Sequence, residues 1–114
     1  MVKIMQNEKI SYQLITNAGN SKSYSMLAIE AAREKDFVKA KEYLNKAKDE
    51  LKKAHSIQFE LIQTEAQGIH MNMDVILVHA QDHLTMALMM KEQAEEFVNI
   101  YKELEELRTK GGVN

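Results

Sequence analysis

An all-α fold is predicted by three observations. Proline is absent and glycine occurs only four times in 114 residues, so the residues that most often interrupt helices are scarce. Aromatic residues make up 6% of the chain, and Ala, Leu, Lys, Glu and Met dominate it, a composition that suits helices. Apolar residues recur at helical spacing through three long segments joined by short polar breaks. A chain of this length supports one modest core and not two. Residues 1–114 therefore read as a single domain, an antiparallel up-down-up three-helix bundle.

The first helix is expected from about Glu8 to Glu34, after a short frayed start, on the spacing of Ile10, Leu14, Ala18, Met26, Leu27, Ile29, Ala31 and Ala32. Its middle, Asn17 to Ser23, holds Gly19 and several side chains that compete for backbone hydrogen bonds. A break, a kink or a close helix contact is expected there. Glu34, Lys35 and Asp36 form a tight turn, with Asp36 as N-cap of a second helix beginning at Phe37. That helix carries Phe37, Ala40, Leu44, Ala47, Leu51, Ala54, Ile57 and Leu61 near a 3.5-residue repeat. Its lysines fall between these positions and read as a solvated face, because Glu42, Asp49 and Glu50 interleave with them. Gly68 reads as the residue closing the helix. Helix three is expected from Asn72 or Met73, with Asp74 in its first turn, to about Arg108. A disordered tail follows over about 110–114.

At 100° per residue, the two halves of helix three differ. The far half confines Met90, Ala94, Phe97, Tyr101 and Leu104 to one stripe, as in an ordinary amphipathic helix. In the near half, Leu77, Leu84 and Leu88 lie on one side while Val75, Val78, Met86 and Met89 surround Asp82 on the other. A helix that is apolar nearly all round needs burial on every side, which a three-helix hairpin does not supply. A homo-oligomer with Asp82 inside the contact is the expected resolution. Carboxylates gathered around a rotation axis repel; a shared proton or a hard cation such as Mg²⁺ or Ca²⁺ would offset this.

Charge and composition exclude several functions. Fifteen Lys and Arg stand against seventeen Asp and Glu, for a net charge of −2, so no nucleic-acid footprint is present. Without cysteine there is no disulfide, thiolate nucleophile or Cys-ligated zinc. Neither a signal-peptide pattern nor an uncharged apolar run of ~18 residues occurs, and a soluble cytoplasmic protein is expected.

The stretch Val78-His79-Ala80-Gln81-Asp82-His83-Leu84 places two imidazoles and a carboxylate on one helix face. A zinc-protease reading fails because Ala80 stands where the general-base Glu is needed. No histidine has a glutamate three residues before it, as a di-iron bundle requires. Nucleophile elbows and phosphate-cradling glycine loops are absent too. Three readings stay open: a neutral imidazole accepting a phosphoryl group, steadied by the Gln81 amide or protonated His83; hydrogen-bonded core histidines at an interface; and a structural metal site. His55 and His70 read as surface histidines.

Several strings resemble one family: Ala18-Gly19-Asn20 with Ser21 and Ser23, then Ala54-His55-Ser56-Ile57-Gln58, Leu61-Ile62-Gln63 with Glu65-Ala66, and above all Leu77 to Leu84. From about Lys9 to Lys102 the chain resembles the lactose/cellobiose (chitobiose) IIA components of the bacterial phosphoenolpyruvate-dependent sugar phosphotransferase system. The resemblance implies a homotrimeric nine-helix bundle. It implies that His79 takes a phosphoryl group from HPr and passes it to a cysteine of the cognate IIB protein, so that the membrane IIC permease imports a β-linked disaccharide. Asp82 is implied to meet its copies at the trimer axis around Mg²⁺, and Gln81 and His83 to support His79. Lys22 and Tyr24 are read as departures from the family pattern that bear on partner choice and not on the chemistry. The competing function is a non-catalytic helical adaptor or regulatory relative of the same family.

Overall fold

The structure, a computed structural model, describes the backbone of residues 2–111 and side chains from Glu8 onward. Three helices follow in order: α1 over Val2–Arg33, α2 over Phe37–Ala66 and α3 over Val75–Lys110. No strand occurs among the described residues, and the all-α bundle is as expected. The helices pack lengthwise into a rod of 67 × 21 × 19 Å. α1 meets both other helices extensively, whereas α2 and α3 meet over less of their surface.

That central place explains the composition of α1. Its buried residues include Ser11, Leu14, Ala18, Ser21, Ser25, Ala28 and Ala32, a run of alternating three- and four-residue steps. α3 answers with Leu77, Ala80, Leu84, Ala87, Ala94 and Val98, and α2 with Ala40, Ala47, Leu51 and Ala54. Spacings near 3.5 residues keep each seam facing its neighbours along the bundle. Small side chains let the helices approach closely.

Of the outcomes expected for the segment around Gly19, the structure shows a helix contact and not a break. α1 runs through it without a break, and a Cβ at Gly19 would meet nothing within 4 Å, so no close helix contact requires the glycine. Its polar neighbours instead tie α1 to α2: Ser21 Oγ donates to the Ala47 carbonyl at 2.8 Å, and Asn20 Nδ2 to Glu50 Oε1 at 2.9 Å. Those cross-helix partners remove the competition with the helix backbone that the sequence implies.

Both junctions are explicit capping structures. After α1, Asp36 N–H donates to the Ala31 carbonyl and Lys35 N–H to that of Ala32, each at 2.9 Å, the paired bonds of a Schellman motif. Asp36 then caps α2, its carboxylate accepting from Lys39 N–H at 3.1 Å, as predicted. After α2, Gly68 takes the left-handed conformation, with φ +89°, and Ile69 N–H reaches back to the Thr64 carbonyl at 3.3 Å. The start of α3 is a correction. Asp74 lies before the first turn, as the N-cap, and accepts from Leu77 N–H at 2.8 Å, which moves the start to Val75. Helix ends are corrected too: α1 is already helical at Val2, and α3 runs through Lys110 with Gly111 as its cap. The rest of the expected disordered tail, 112–114, lies outside the described residues.

The first junction carries strain. Lys35 occupies the left-handed region at φ 68° with a Cβ, which glycine would do without steric cost. Its ammonium makes one exposed ion pair with Glu105 at 3.6 Å, worth little. Lys35→Gly is expected to raise stability by about 0.5–1 kcal/mol in urea denaturation. A loss of that size would show that the ion pair outweighs the backbone strain.

α3 also departs from the expected two-part reading. Val75, Val78, Met86 and Met89 surround Asp82 on the outside of the chain as expected, at 84%, 53%, 41% and 56% exposure. Beyond Met90, however, the expected single stripe divides: Ala94 and Tyr101 turn inward with Val98, while Phe97 and Leu104 lie exposed with Ile100 and Leu107. A large apolar seam therefore stays uncovered along nearly the whole of α3. No helix among the described residues is long and apolar enough to cross a membrane.

Candidate functional site

The site is built on the first three turns of α3. Leu77, Ala80 and Leu84 are buried against the other helices, which fixes the rotation of α3 about its axis. His79 and Asp82 are thereby turned to the exterior, and Gln81 and His83 lie half-buried at the flanks. One helical turn apart, His79 and His83 bring their Nε2 atoms to 3.0 Å. The rings meet edge to face, with centroids 4.5 Å apart and planes at 87°. At that distance one nitrogen donates a proton and the other accepts it, so at least one imidazole presents an N–H to its neighbour.

Two residues from the other helices complete the site. Lys22 of α1 places Nζ 3.5 Å from Nδ1 of His83, and Gln58 of α2 donates from Nε2 to Oε1 of Gln81 at 2.8 Å. The Gln58 bond occupies the Gln81 carbonyl and orients the amide, leaving the Gln81 amide N–H group as its donor side. Sequence reasoning missed Lys22 as part of the site, assigning it to partner choice, and quoted Gln58 without a role. The local pattern places each beside the core but names no partner. Lys22 lies one turn after buried Ala18 and next to buried Ser21, and Gln58 lies one turn after buried Ala54.

The pKa of His83 is pushed below its ordinary value, first by burial, then by the Lys22 ammonium and the His79 imidazole, with Asp82 opposing. Folding thus disfavours the protonated ring. As pH falls through the ordinary value of 6.5, the unfolded chain takes up this proton before the folded one. Stability from neutral His83 is therefore complete above 6.5 and declines as pH falls below it toward the folded pKa. His83→Gln is expected to flatten that part of the acid slope in denaturation curves taken on either side of pH 6.5. An unchanged slope would place the titration on another group.

His79, Asp82 and His83 do not form a metal site within one chain: no group of three or more His, Cys, Asp or Glu that could hold an ion occurs among the described residues. His55 is exposed on α2, and exposed His70 contacts Glu65 at 2.9 Å in the loop that follows. Neither joins the site, as expected. The α2 lysines are exposed, and Lys46 lies over the rings of Tyr24 and Tyr43 at 5.7 and 5.9 Å.

Known proteins match the chain over most of its length. The family described as PTS system, Lactose/Cellobiose specific IIA subunit matches residues 9–102. The chain belongs to this family. The lichenan-specific phosphotransferase enzyme IIA component of Bacillus subtilis (strain 168) is 44% identical over 101 residues, covering 89% of this chain and 92% of that one. The crystal structure of the PTS cellobiose-specific enzyme IIA from Bacillus anthracis superposes with a TM-score of 0.85 at 45% identity, over 87% of this chain and 91% of that one. The IIA(chitobiose) chain of the Escherichia coli IIA–HPr complex superposes at 0.76 with 30% identity, over 87% and 96%. The protein is thus a lactose/cellobiose-type IIA component, a class of phosphotransferase carriers.

Proposed function

We propose that His79 of this IIA component is a phosphoryl acceptor and donor: it takes the group from phospho-HPr and passes it to a cysteine of the cognate IIB protein. The observation that carries this reading is an exposed imidazole whose Nε2 lies 3.0 Å from a second, half-buried imidazole. A nucleophile that must meet two partners in turn has to be reachable, and a neighbouring N–H supplies a donor for phosphoryl oxygens. In the first step the donor's P–N bond breaks as a bond from His79 to phosphorus forms, and the departing imidazole keeps its electron pair. In the second, a IIB thiolate attacks phosphorus, an S–P bond forms and His79 is released. His83 and the Gln81 amide N–H support the phosphoryl oxygens. HPr is drawn as partner from the related chitobiose IIA–HPr complex.

The chain works in the cytoplasm as a homotrimer, a nine-helix bundle, feeding a IIC permease that imports a β-linked disaccharide of the cellobiose, chitobiose or lactose type. The uncovered α3 seam supports assembly, because apolar area of this extent on one helix calls for a partner. Asp82 lies within that seam, and each chain contributes one carboxylate there. Oxygen donors of this kind fit a hard divalent cation, so Asp82 from three copies would hold Mg²⁺, which would screen their mutual repulsion.

The test is transfer itself. Incubation with radiolabelled phosphoenolpyruvate, enzyme I and HPr is expected to label the chain with an acid-labile, base-stable adduct, and the label is expected to move on when the cognate IIB is added. A chain that assembles but takes no label would be the regulatory relative.

A further inference from the structure

We propose that Lys22 is a positioning residue for the phosphoryl acceptor, fixing which nitrogen of His83 carries the proton and thereby which nitrogen of His79 offers a lone pair. An ammonium group only donates. With Lys22 Nζ 3.5 Å from Nδ1 of His83, an N–H at that nitrogen would point hydrogen at hydrogen, so Nδ1 holds the lone pair and the proton sits on Nε2. That N–H faces Nε2 of His79 at 3.0 Å, which therefore accepts, and the proton of neutral His79 sits on its Nδ1. The chain of donors runs one way, from Lys22 through His83 to His79.

Lys22 stands beside a contact that ties α1 to α2. Its neighbour Ser21 is buried and anchored on the Ala47 carbonyl at 2.8 Å, and its own side chain is half-buried between α1 and α3. The charged and titratable groups acting on His83 are Lys22 from α1 and His79 and Asp82 from its own helix. With its Nδ1 lone pair turned to the ammonium, the ring passes on a hydrogen bond from its Nε2. When the phosphorus–nitrogen bond forms on Nε2 of His79 and the donor's bond breaks, the His83 N–H is freed from that lone pair to reach a phosphoryl oxygen. The His79 Nδ1 proton stays in place throughout.

This assignment rests on His79 being the acceptor, and its test separates the two ideas. Imidazole nitrogen NMR of the full chain is expected to show His83 protonated on Nε2 and His79 on Nδ1. In Lys22→Met both rings are expected to become tautomer mixtures, and the rate of phosphoryl uptake from phospho-HPr to fall on the order of tenfold, about 1.4 kcal/mol. Lys22→Arg is expected to restore the tautomers and most of the rate, which a merely structural or docking role does not require. Unchanged tautomers in Lys22→Met, whatever its rate, would overturn the proposal. An unaltered chain that takes no label would overturn the function of His79, while the imidazole spectrum would still decide the role of Lys22.

Discussion

Replacing His79 with alanine is expected to abolish phosphoryl uptake while leaving the fold intact. The side chain is exposed and contributes no core contact, so its removal should change stability by no more than about 0.5 kcal/mol. No other group is placed to substitute. His83 is half-buried and directs Nε2 toward His79; His55 and His70 lie outside the site; and the chain has no cysteine. Label from phosphoenolpyruvate should disappear from the His79→Ala chain at unchanged helix content and oligomeric state. Retention of label, on His83 or elsewhere, would remove His79 from the reaction.

Asp82→Leu is expected to leave the proposed trimer assembled and to strengthen it. In one chain the Asp82 carboxylate lies exposed between Val78 and Met86, large apolar side chains that are themselves exposed. Trimerisation would bring three such carboxylates together, and their repulsion and desolvation oppose the contact unless a cation intervenes. Leucine removes the charge and matches its apolar neighbours. The expected gain is about 1–4 kcal/mol, the range found when buried charges give way to packed apolar residues. Sedimentation should show the same oligomer, and a chelator that lowers the melting temperature of the parent should leave Asp82→Leu unaffected. Dissociation, or a loss of several kcal/mol, would place Asp82 away from the axis.

Local chemistry made much of the fold legible beforehand. Asp36 and Gly68 do their work within a few residues of themselves, so a cap and a closing glycine can be read from a string. The inward face of the near half of α3 followed from periodicity, since Leu77 and Leu84 repeat at seven residues and both are buried. Part of what escaped reading depends on distant partners. Gly19 and its polar neighbours look like a helix breaker until Ala47 and Glu50 are seen to accept their hydrogen bonds. Asp74 looked like a first-turn anion and proved to be a cap. Lys35 gives no sign of a left-handed backbone, because its side chain does not reveal the two backbone bonds that bend the chain there. At the site, the His79-to-His83 step is helical arithmetic. The Lys22 contact spans 61 residues and the Gln58 contact 23, separations that no local pattern encodes.

The core itself has a further consequence. Among the described residues the large apolar side chains buried in the core are Leu14, Leu51, Leu77, Leu84 and Val98, and alanine and serine supply the rest, while Phe97, Ile100, Leu104 and Leu107 remain outside. Each chain thus withholds much of its apolar area from its own folding, and an ordered residue costs roughly 1–2 kcal/mol of backbone entropy that this thin interior must offset. In the proposed assembly the outstanding area is buried only when copies meet, so folding follows mass action. In that assembly abundance would become a component of stability: at low concentration a smaller fraction of the chains would be folded, and at high concentration a larger share of them would work.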